Sequence, residues 1–339
     1  MVVVNWNRRE LLRQALESLG RQQDASFEII VVDNGSSDGS AEMVEREFVG
    51  RPGWRVRLIV NPENRGFCAA NNQGIAASGA PFVALLNNDA EAAPGWLAAL
   101  RGAFERGPEV GMAASKILVW EDPTRIDKVG HLIYPDGQNR GRGAGEVDRG
   151  QYDRPEETLW PDGCAAMYRR AMLDVTGGFD EDFFAYGDDA ELGLRGRLAG
   201  WTCWYQPRAV VRHHRGATLG LASARRVELI ERNRVLLAAK LFPWSLLWLN
   251  VPYYLARLIS GMWAALRGRG EASLFPGLGG KLRVGLALVK GDWEALRMLP
   301  RMSRKRRRMR AIRKLTPRQA RELILRYRIP LRDLTPPQA

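Results

Sequence analysis

Residues 28–40 read Glu28-Ile29-Ile30-Val31-Val32-Asp33-Asn34-Gly35-Ser36-Ser37-Asp38-Gly39-Ser40. An unbroken β-branched run that stops at Asp-Asn-Gly predicts a strand buried on both faces, here Phe27 to Val32. The loop after it is rich in Gly, Ser and Asp and opens a helix. That composition lets backbone amides and short side chains approach a nucleotide. It is neither the GxGxxG dinucleotide fingerprint nor the GxxxxGK[ST] phosphate loop, which counts against dehydrogenase and nucleoside-triphosphatase readings. The plainer reading is a turn with an N-cap from Ser36, Ser37 or Asp38.

The same unit recurs along the chain. Val2 to Trp6, Val56 to Val60 and Phe82 to Leu86 read as further buried strands, and Leu11, Leu12, Ala15, Leu16 and Leu19 mark one helical face that ends at Gly20. Ala41 to Phe48 and Phe67 to Ala77 give two more helices. The series is βαβαβαβ, so the fold class is α/β with a mostly parallel sheet flanked by helices. Ligands of such sheets bind beyond the carboxyl ends of the strands. The loops there are Asn5-Trp6-Asn7, Asp33 to Ser40, Asn61 to Gly66 and Asn87-Asn88-Asp89, all polar. From 110 to 220 strands are expected near Met112 to Val119, Leu159 to Tyr168 and Thr202 to Tyr205, with a mobile loop at Gly137 to Gly150.

Three groups carry candidate chemistry. Asp89 follows a very apolar strand and so sits at the mouth of the sheet, where a divalent cation can bridge a carboxylate and a diphosphate; alone it reads as an Asx turn. Phe179 to Arg195 holds Asp180, Glu181, Asp182, Asp188, Asp189 and Glu191 among aromatics. Helical spacing puts Asp188 and Glu191 on one face and turns Asp189 about 100° away. Capping accounts for some of these acids, but a general base needs a carboxylate beside a partly apolar pocket, which this segment supplies. His213 and His214 follow a further strand, Ala209 to Arg212, and imidazole is a common metal ligand.

The chain has 339 residues, 45% of them hydrophobic and 26% charged, and its charge is uneven. Residues 1–224 carry 25 basic and 31 acidic side chains, residues 225–339 carry 26 and 7. The basic C-terminal third is therefore expected to meet something anionic, a membrane surface or nucleic acid. Leu241 to Leu266 has one charge, Arg257, but Pro243 and Pro252 make it a poor span, while its Trp and Tyr residues suit a headgroup interface. Arg301 to Lys314 packs nine positive charges into fourteen residues without an acid. Cys68, Cys164 and Cys203 form no CxxC pair, and Met1 runs straight into a strand without a signal-peptide pattern, so a reducing cytoplasm is expected.

Taken together, VVVNWN (2–7), EIIVVDNGSSDGS (28–40), NRGFCAANNQGI (64–75), VALLNNDAEAAPGWL (83–97), GGFDEDFFAYGDDAELGLRGRLAGW (177–201) and AVVRHHRGAT (209–218) resemble the family 2 glycosyltransferases, inverting enzymes of GT-A fold, and in particular the bacterial rhamnosyltransferase-like branch. The likeness covers about 220 residues. It implies that Asn5, Trp6 and Asp33 bind the base and ribose of a nucleotide-sugar donor, with Asn64, Asn72 and Asn88 nearby. In the same way Asp89 and His213 match the family's metal-binding acid and histidine, for Mg²⁺ or Mn²⁺, and Asp189 matches its catalytic base. The family pattern at the base is Glu-Asp-x-Asp, whereas this chain has Asp188-Asp189-Ala190-Glu191, so Asp188 stands as a rival.

The expectation is a GT-A-like catalytic domain at 1–220, an apolar helical segment at 221–300 that meets a membrane, and a basic tail at 301–339. The donor would be a dTDP- or UDP-sugar and the acceptor a glycan or lipid-linked hydroxyl. The protein would work in the cytoplasm, peripherally at the inner face of the cell membrane, with nucleic acid the less favoured partner. The alternative is a nucleotide-sugar-binding or RNA-binding protein without transferase activity. A sugar nucleotidylyltransferase is disfavoured, because no GxGTR-like loop opens the chain.

Overall fold

The computed structural model describes residues 1–23, 25–214, 220, 222–267 and 274–334. Positions 215–218 of the last motif lie outside them. Contacts divide the chain into two compact units, one of Met1–Gly130, Gly141–Arg197 and Trp201–Thr218, the other of His131–Arg140, Leu198–Gly200 and Leu219–Ala339.

The first unit starts with β1 (Val2–Asn5), α1 (Arg9–Gly20), β2 (Ile29–Asp33), α2 (Ser40–Glu47), β3 (Val56–Val60), α3 (Gly66–Ala77) and β4 (Phe82–Leu86). The expected βαβαβαβ series is present, with strand bounds within two residues. These strands lie parallel in the order β4-β1-β2-β3. Val3, Val31, Ala84 and Leu86 bury one face of them against Leu12, Leu16, Leu19, Met43 and Phe48 from the helices. At about 25 cal/mol per Å² of apolar surface removed from water, this core is the main stabilising term of the unit.

The second half of the sheet mixes directions. β5 (Ala90–Ala92), α4 (Trp96–Gly102), β6 (Val110–Val119), β7 (Ile126–Lys128), β10 (Glu156–Thr158), β11 (Ala165–Arg169), α5 (Arg170–Thr176), α6 (Asp188–Leu198) and β12 (Thr202–His213) extend it to ten strands. β11 enters antiparallel between β4 and β6. The strand expected at Leu159 to Tyr168 is shorter, because Pro161 and Gly163 fall inside it and leave 159–164 as a loop. Conversely, the two short strands expected at 202–205 and 209–212 are one strand. A register shift against β6 between Gln206 and Val210 absorbs Pro207. The loop expected at Gly137 to Gly150 contains the short strand β9 (Asn139–Gly141), paired with β8 (His131–Ile133), and turns closed by Gly145 N–H to Ile126 O and Glu146 N–H to Gly143 O.

The second unit is mainly helical: α7 (Ala224–Leu241), α8 (Trp244–Leu247), α9 (Asn250–Leu266), α10 (Gly277–Met309) and α11 (Pro317–Arg326). α7 and α10 approach closely through Gly291, where an added Cβ would stand 2.6 Å from the Glu228 carbonyl. A buried charge cluster ties α7, α9 and α10 to the β8–β9 turn. Arg257, the single charge of 241–266, donates to Asp136 at 2.6 Å and to Glu231 at 2.9 Å, while Arg234 pairs with Glu231 at 2.6 Å and Asp292 at 3.3 Å. Burial raises the pKa of Glu231, but Arg234 and Arg257 outweigh it and hold the carboxyl below its ordinary value.

Candidate functional site

Parallel register brings the strand-end polar residues together. Asn5 pairs with Asp33 across β1 and β2, and Val2 faces Leu85 across β1 and β4, which carries Asn5 to the level of Asn88 three residues on. Their side chains then form a buried chain. Asn88 Nδ2 donates to Asn5 Oδ1 at 2.7 Å, and Asn5 Nδ2 donates to Asp33 Oδ1 at 3.0 Å and Ser36 Oγ at 3.2 Å. Ser36 N–H returns to Asp33 Oδ2 at 2.9 Å. Buried polar groups that satisfy one another in this way fix a single loop conformation.

A second amide network lies beside the first. Asn34 Nδ2 donates to Asn64 Oδ1 at 2.9 Å, Asn61 Nδ2 donates to Asn34 Oδ1 at 3.0 Å, and Asn61 and Gln73 exchange two bonds of 2.8 and 2.9 Å. Asn34 and Asn61 were not singled out in the sequence; their signal is that both directly follow a strand. Trp6 is half-buried just past β1. Asn72 has a structural partner: its amide donates to Phe179 O at 2.9 Å and accepts from Phe179 N–H at 2.8 Å, stapling α3 to the acid-rich segment.

Asp89 and His213 meet across the sheet. His213 is the register partner of Ala90, and His214 N–H donates to Asp89 O at 2.9 Å. His213 Nε2 lies 3.4 Å from Asp89 Oδ1, a buried oxygen with no closer hydrogen-bond partner, and His213 Nδ1 lies 2.9 Å from Asp127 Oδ2. Burial lowers the His213 pKa, but Cys164, Asp127 and Asp89 around the ring raise it well above the usual imidazole value. With the ring neutral, the Asp89 carboxylate and an imidazole oriented by a second carboxylate offer the oxygen and nitrogen atoms that fit a divalent cation. Asp127 gave no sequence signal, since it is an isolated acid 86 residues from its partner.

The acids of 180–191 sort themselves. Glu191 is fully buried and chelated by Arg195 at 2.7 to 3.2 Å, and Arg195 also donates to the carbonyls of Thr176, Gly177 and Gly178. Asp180 accepts from Asp182 N–H, and Glu181 from Asn72. These three hold the segment in place. Asp188 is buried, and burial followed by repulsion from Asp189 raises its pKa well above the carboxylate range. Asp189 is half-buried at the start of α6, where its Oδ2 accepts from Gly163 N–H at 3.3 Å.

The loop 162–164 joins both centres. Gly163 touches Asp189, Cys164 O accepts from Asn87 N–H at 2.8 Å, and the Cys164 thiol lies against His213. Asp162, another residue the sequence did not flag, buttresses this loop by accepting from Cys164 N–H at 2.9 Å and from Lys128 at 2.7 Å. Before α6 the backbone is strained: Phe184, Tyr186 and Gly187 have φ of 63°, 67° and 71°. The exposed Phe184 ring covers Gly66, where a Cβ would stand 2.5 Å from it. Non-glycine residues with positive φ cost energy and gather where a site must be shaped.

The model of the family described as Glycosyl transferase family 2 matches residues 1–177. The N-acetylglucosaminyl-diphospho-decaprenol L-rhamnosyltransferase of Mycobacterium tuberculosis is 27% identical over 241 residues, 65% of this chain and 77% of that protein. The pre-mycofactocin glycosyltransferase of the same organism is 32% identical over 193 residues, 55% of this chain and 37% of that one. Among solved structures, the mannosyltransferase PcManGT from Pyrobaculum calidifontis, in complex with GDP-Man and Mn²⁺, superposes with a TM-score of 0.55 at 19% identity, covering 92% of this chain and 84% of that one.

Proposed function

The chain belongs to glycosyl transferase family 2, and from that premise we propose a metal-dependent inverting transfer from a nucleoside-diphosphate sugar, dTDP- or UDP-linked, to a hydroxyl of a glycan or lipid-linked acceptor. It is a glycosyltransferase of GT-A-like fold; the donor, the acceptor and the roles below are this proposal.

The observation that carries it is the 162–164 loop, which ties the half-buried carboxylate Asp189 and the Asp89–His213 pair to one strand end. Asn5, Trp6 and Asp33, with Asn64 and Asn88, cradle the nucleotide, and Asn72 orients the acid-rich segment behind it. Asp189 takes the proton of the acceptor hydroxyl as that oxygen bonds to the anomeric carbon. The bond from that carbon to the nucleoside diphosphate breaks, and the diphosphate leaves with the electron pair. Asp188 is buried, and burial followed by its neighbour raises its pKa, whereas Asp189 is half-buried beside Gly163; of the two, Asp189 is therefore read as the base. Asp89 and His213 would hold Mg²⁺ or Mn²⁺, which supplies positive charge at the leaving diphosphate. The lipid-linked substrate in the name of the Mycobacterium tuberculosis rhamnosyltransferase and the basic second unit support work in the cytoplasm, peripherally at the inner face of the membrane.

The test is thermal stabilisation of the purified chain by UDP, dTDP and GDP, each with and without Mn²⁺ or Mg²⁺. A ligand that binds only the folded state at a hundred times its Kd adds about 2.7 kcal/mol of stability. Stabilisation by one nucleotide that requires the metal, and that is lost or strongly weakened in Asp89→Asn, is expected. Equal stabilisation with and without metal would remove Asp89 and His213 from the donor site.

A further inference from the structure

The outer face of α10 inverts the usual rule for a surface helix. Its inward face carries small or flexible residues: Gly280, Ala287, Gly291, Ala295, Met302 and Met309. Its large aliphatic and aromatic residues point out. Leu278, Leu282, Leu286, Val289, Trp293 and Leu296 are 54 to 87% exposed. At about 100° per residue those six fall within an arc of about 80°, opposite the buried set. α9 repeats the pattern, with Val251, Leu255, Ile259 and Met262 exposed, while Arg257 turns inward to Asp136 and Glu231. Among the described residues no helix is long and apolar enough to cross a membrane. An apolar stripe on a helix too polar to span is the pattern of a helix lying in the headgroup plane.

The charges around the stripe name the partner. Arg283, Lys290, Arg297 and Arg301 are exposed and recur at i, i+7, i+14 and i+18, forming a row along one edge of the α10 stripe. The two acids of α10 are turned away: Asp292 accepts from Tyr254 and Arg234, and Glu294 faces Arg225 and Arg232. Beyond Pro300 the helix continues into Arg304, Arg307 and Arg308. A symmetric pairing of two copies through this face would set like charges against each other, whereas an anionic leaflet neutralises them at the depth where Trp rings sit.

We propose that the exposed stripes of α9 and α10, rather than the basic run 301–314 alone, form a docking surface for an anionic phospholipid bilayer. This rests on the peripheral-membrane part of the proposed function and says which side chains enter the lipid. It divides the work, with the aliphatic stripe supplying binding free energy and the arginine row supplying preference for anionic headgroups.

The test is sedimentation of the full chain with vesicles of phosphatidylcholine alone and of phosphatidylcholine with phosphatidylglycerol at about three to one. The unaltered chain is expected to sediment with the mixed vesicles. Leu282→Glu combined with Leu286→Glu should weaken that binding by about tenfold or more, while Arg283→Gln with Arg297→Gln should remove the preference for the anionic mixture. Val175→Glu, an exposed residue on α5, is the control and should leave binding unchanged. Undiminished binding of the Leu282/Leu286 variant, at unchanged circular dichroism, overturns the stripe but leaves peripheral association standing. No binding by the unaltered chain overturns both, as does a dimer in light scattering that the same two substitutions dissolve without any vesicle binding. Nucleotide stabilisation, measured in parallel without lipid, keeps the transferase reading separate.

Discussion

The two units break the burial rule in opposite senses. At the strand ends of the first, Asn5, Asp33, Asn34, Asn61, Asn88 and Asp89 are polar and buried; on α9 and α10 of the second, leucine, valine and tryptophan stand in water. Single exposed apolar residues need no explanation, and buried polar groups are ordinary once paired. What marks these regions is concentration. Polar side chains collect at the end of a sheet, where ligands of α/β folds bind, and apolar ones collect in stripes with basic borders. On the proposals made above, each departure from the rule is a surface for something other than water.

Substitutions on the two sides should separate cleanly, and the largest effect belongs to the first unit. Asp189→Asn should lower the transfer rate by about a hundredfold to ten-thousandfold, the usual worth of a general base, with nucleotide stabilisation retained. Loss of nucleotide binding instead would make Asp189 part of the donor cradle. In the second unit, Arg257→Met takes from the buried Asp136 and Glu231 the guanidinium they share and leaves both to Arg234; the cost should be about 3 kcal/mol, read by urea unfolding.

A smaller effect should follow Asn5→Leu, which removes both the acceptor of Asn88 and a donor to Asp33. Melting should report a loss of about 1–3 kcal/mol, together with weaker nucleotide binding. The smallest concerns pH. The Asp188 pKa is raised on folding, so the folded state holds that proton more tightly than the unfolded chain, and stability falls as pH rises above the ordinary carboxylate range. Asp188→Asn, which has no charge to bury, should melt a few degrees higher at pH 7 and no higher at pH 4. A gain that persists at pH 4 would mean that packing, not ionisation, is being measured.

The two regions were unequally legible in the sequence. β1 to β4 and their helices were legible because each strand is a short, largely apolar run closed by Asn or Asp, and parallel register then aligns those closing residues. The later strands were not, because β11 and β12 contain or adjoin Pro161, Gly163 and Pro207, which interrupt the pattern without ending the sheet. Asp89, Asp189 and His213 were found through their motifs, whereas Asp127 and Asp162 became visible only when the chain brought them to His213 and Cys164. For α10 the residue types were plain, but which face they occupied was not. A periodic stripe looks the same whether it faces a core or solvent, and only the packing of Gly291 on α7 decides it.

The pairing of β5 with β12 has one more consequence. Because Ala90 and His213 are ladder partners, the spacing between Asp89 and the imidazole is inherited from the repeat of the sheet. Errors in such a spacing come only in whole residues, and a slip of one would exchange His213 for His214, which stacks on Trp120 at 4.0 Å. The site therefore has a digital tolerance: it is either in register or absent, and the neighbouring histidine shows what the wrong digit would deliver.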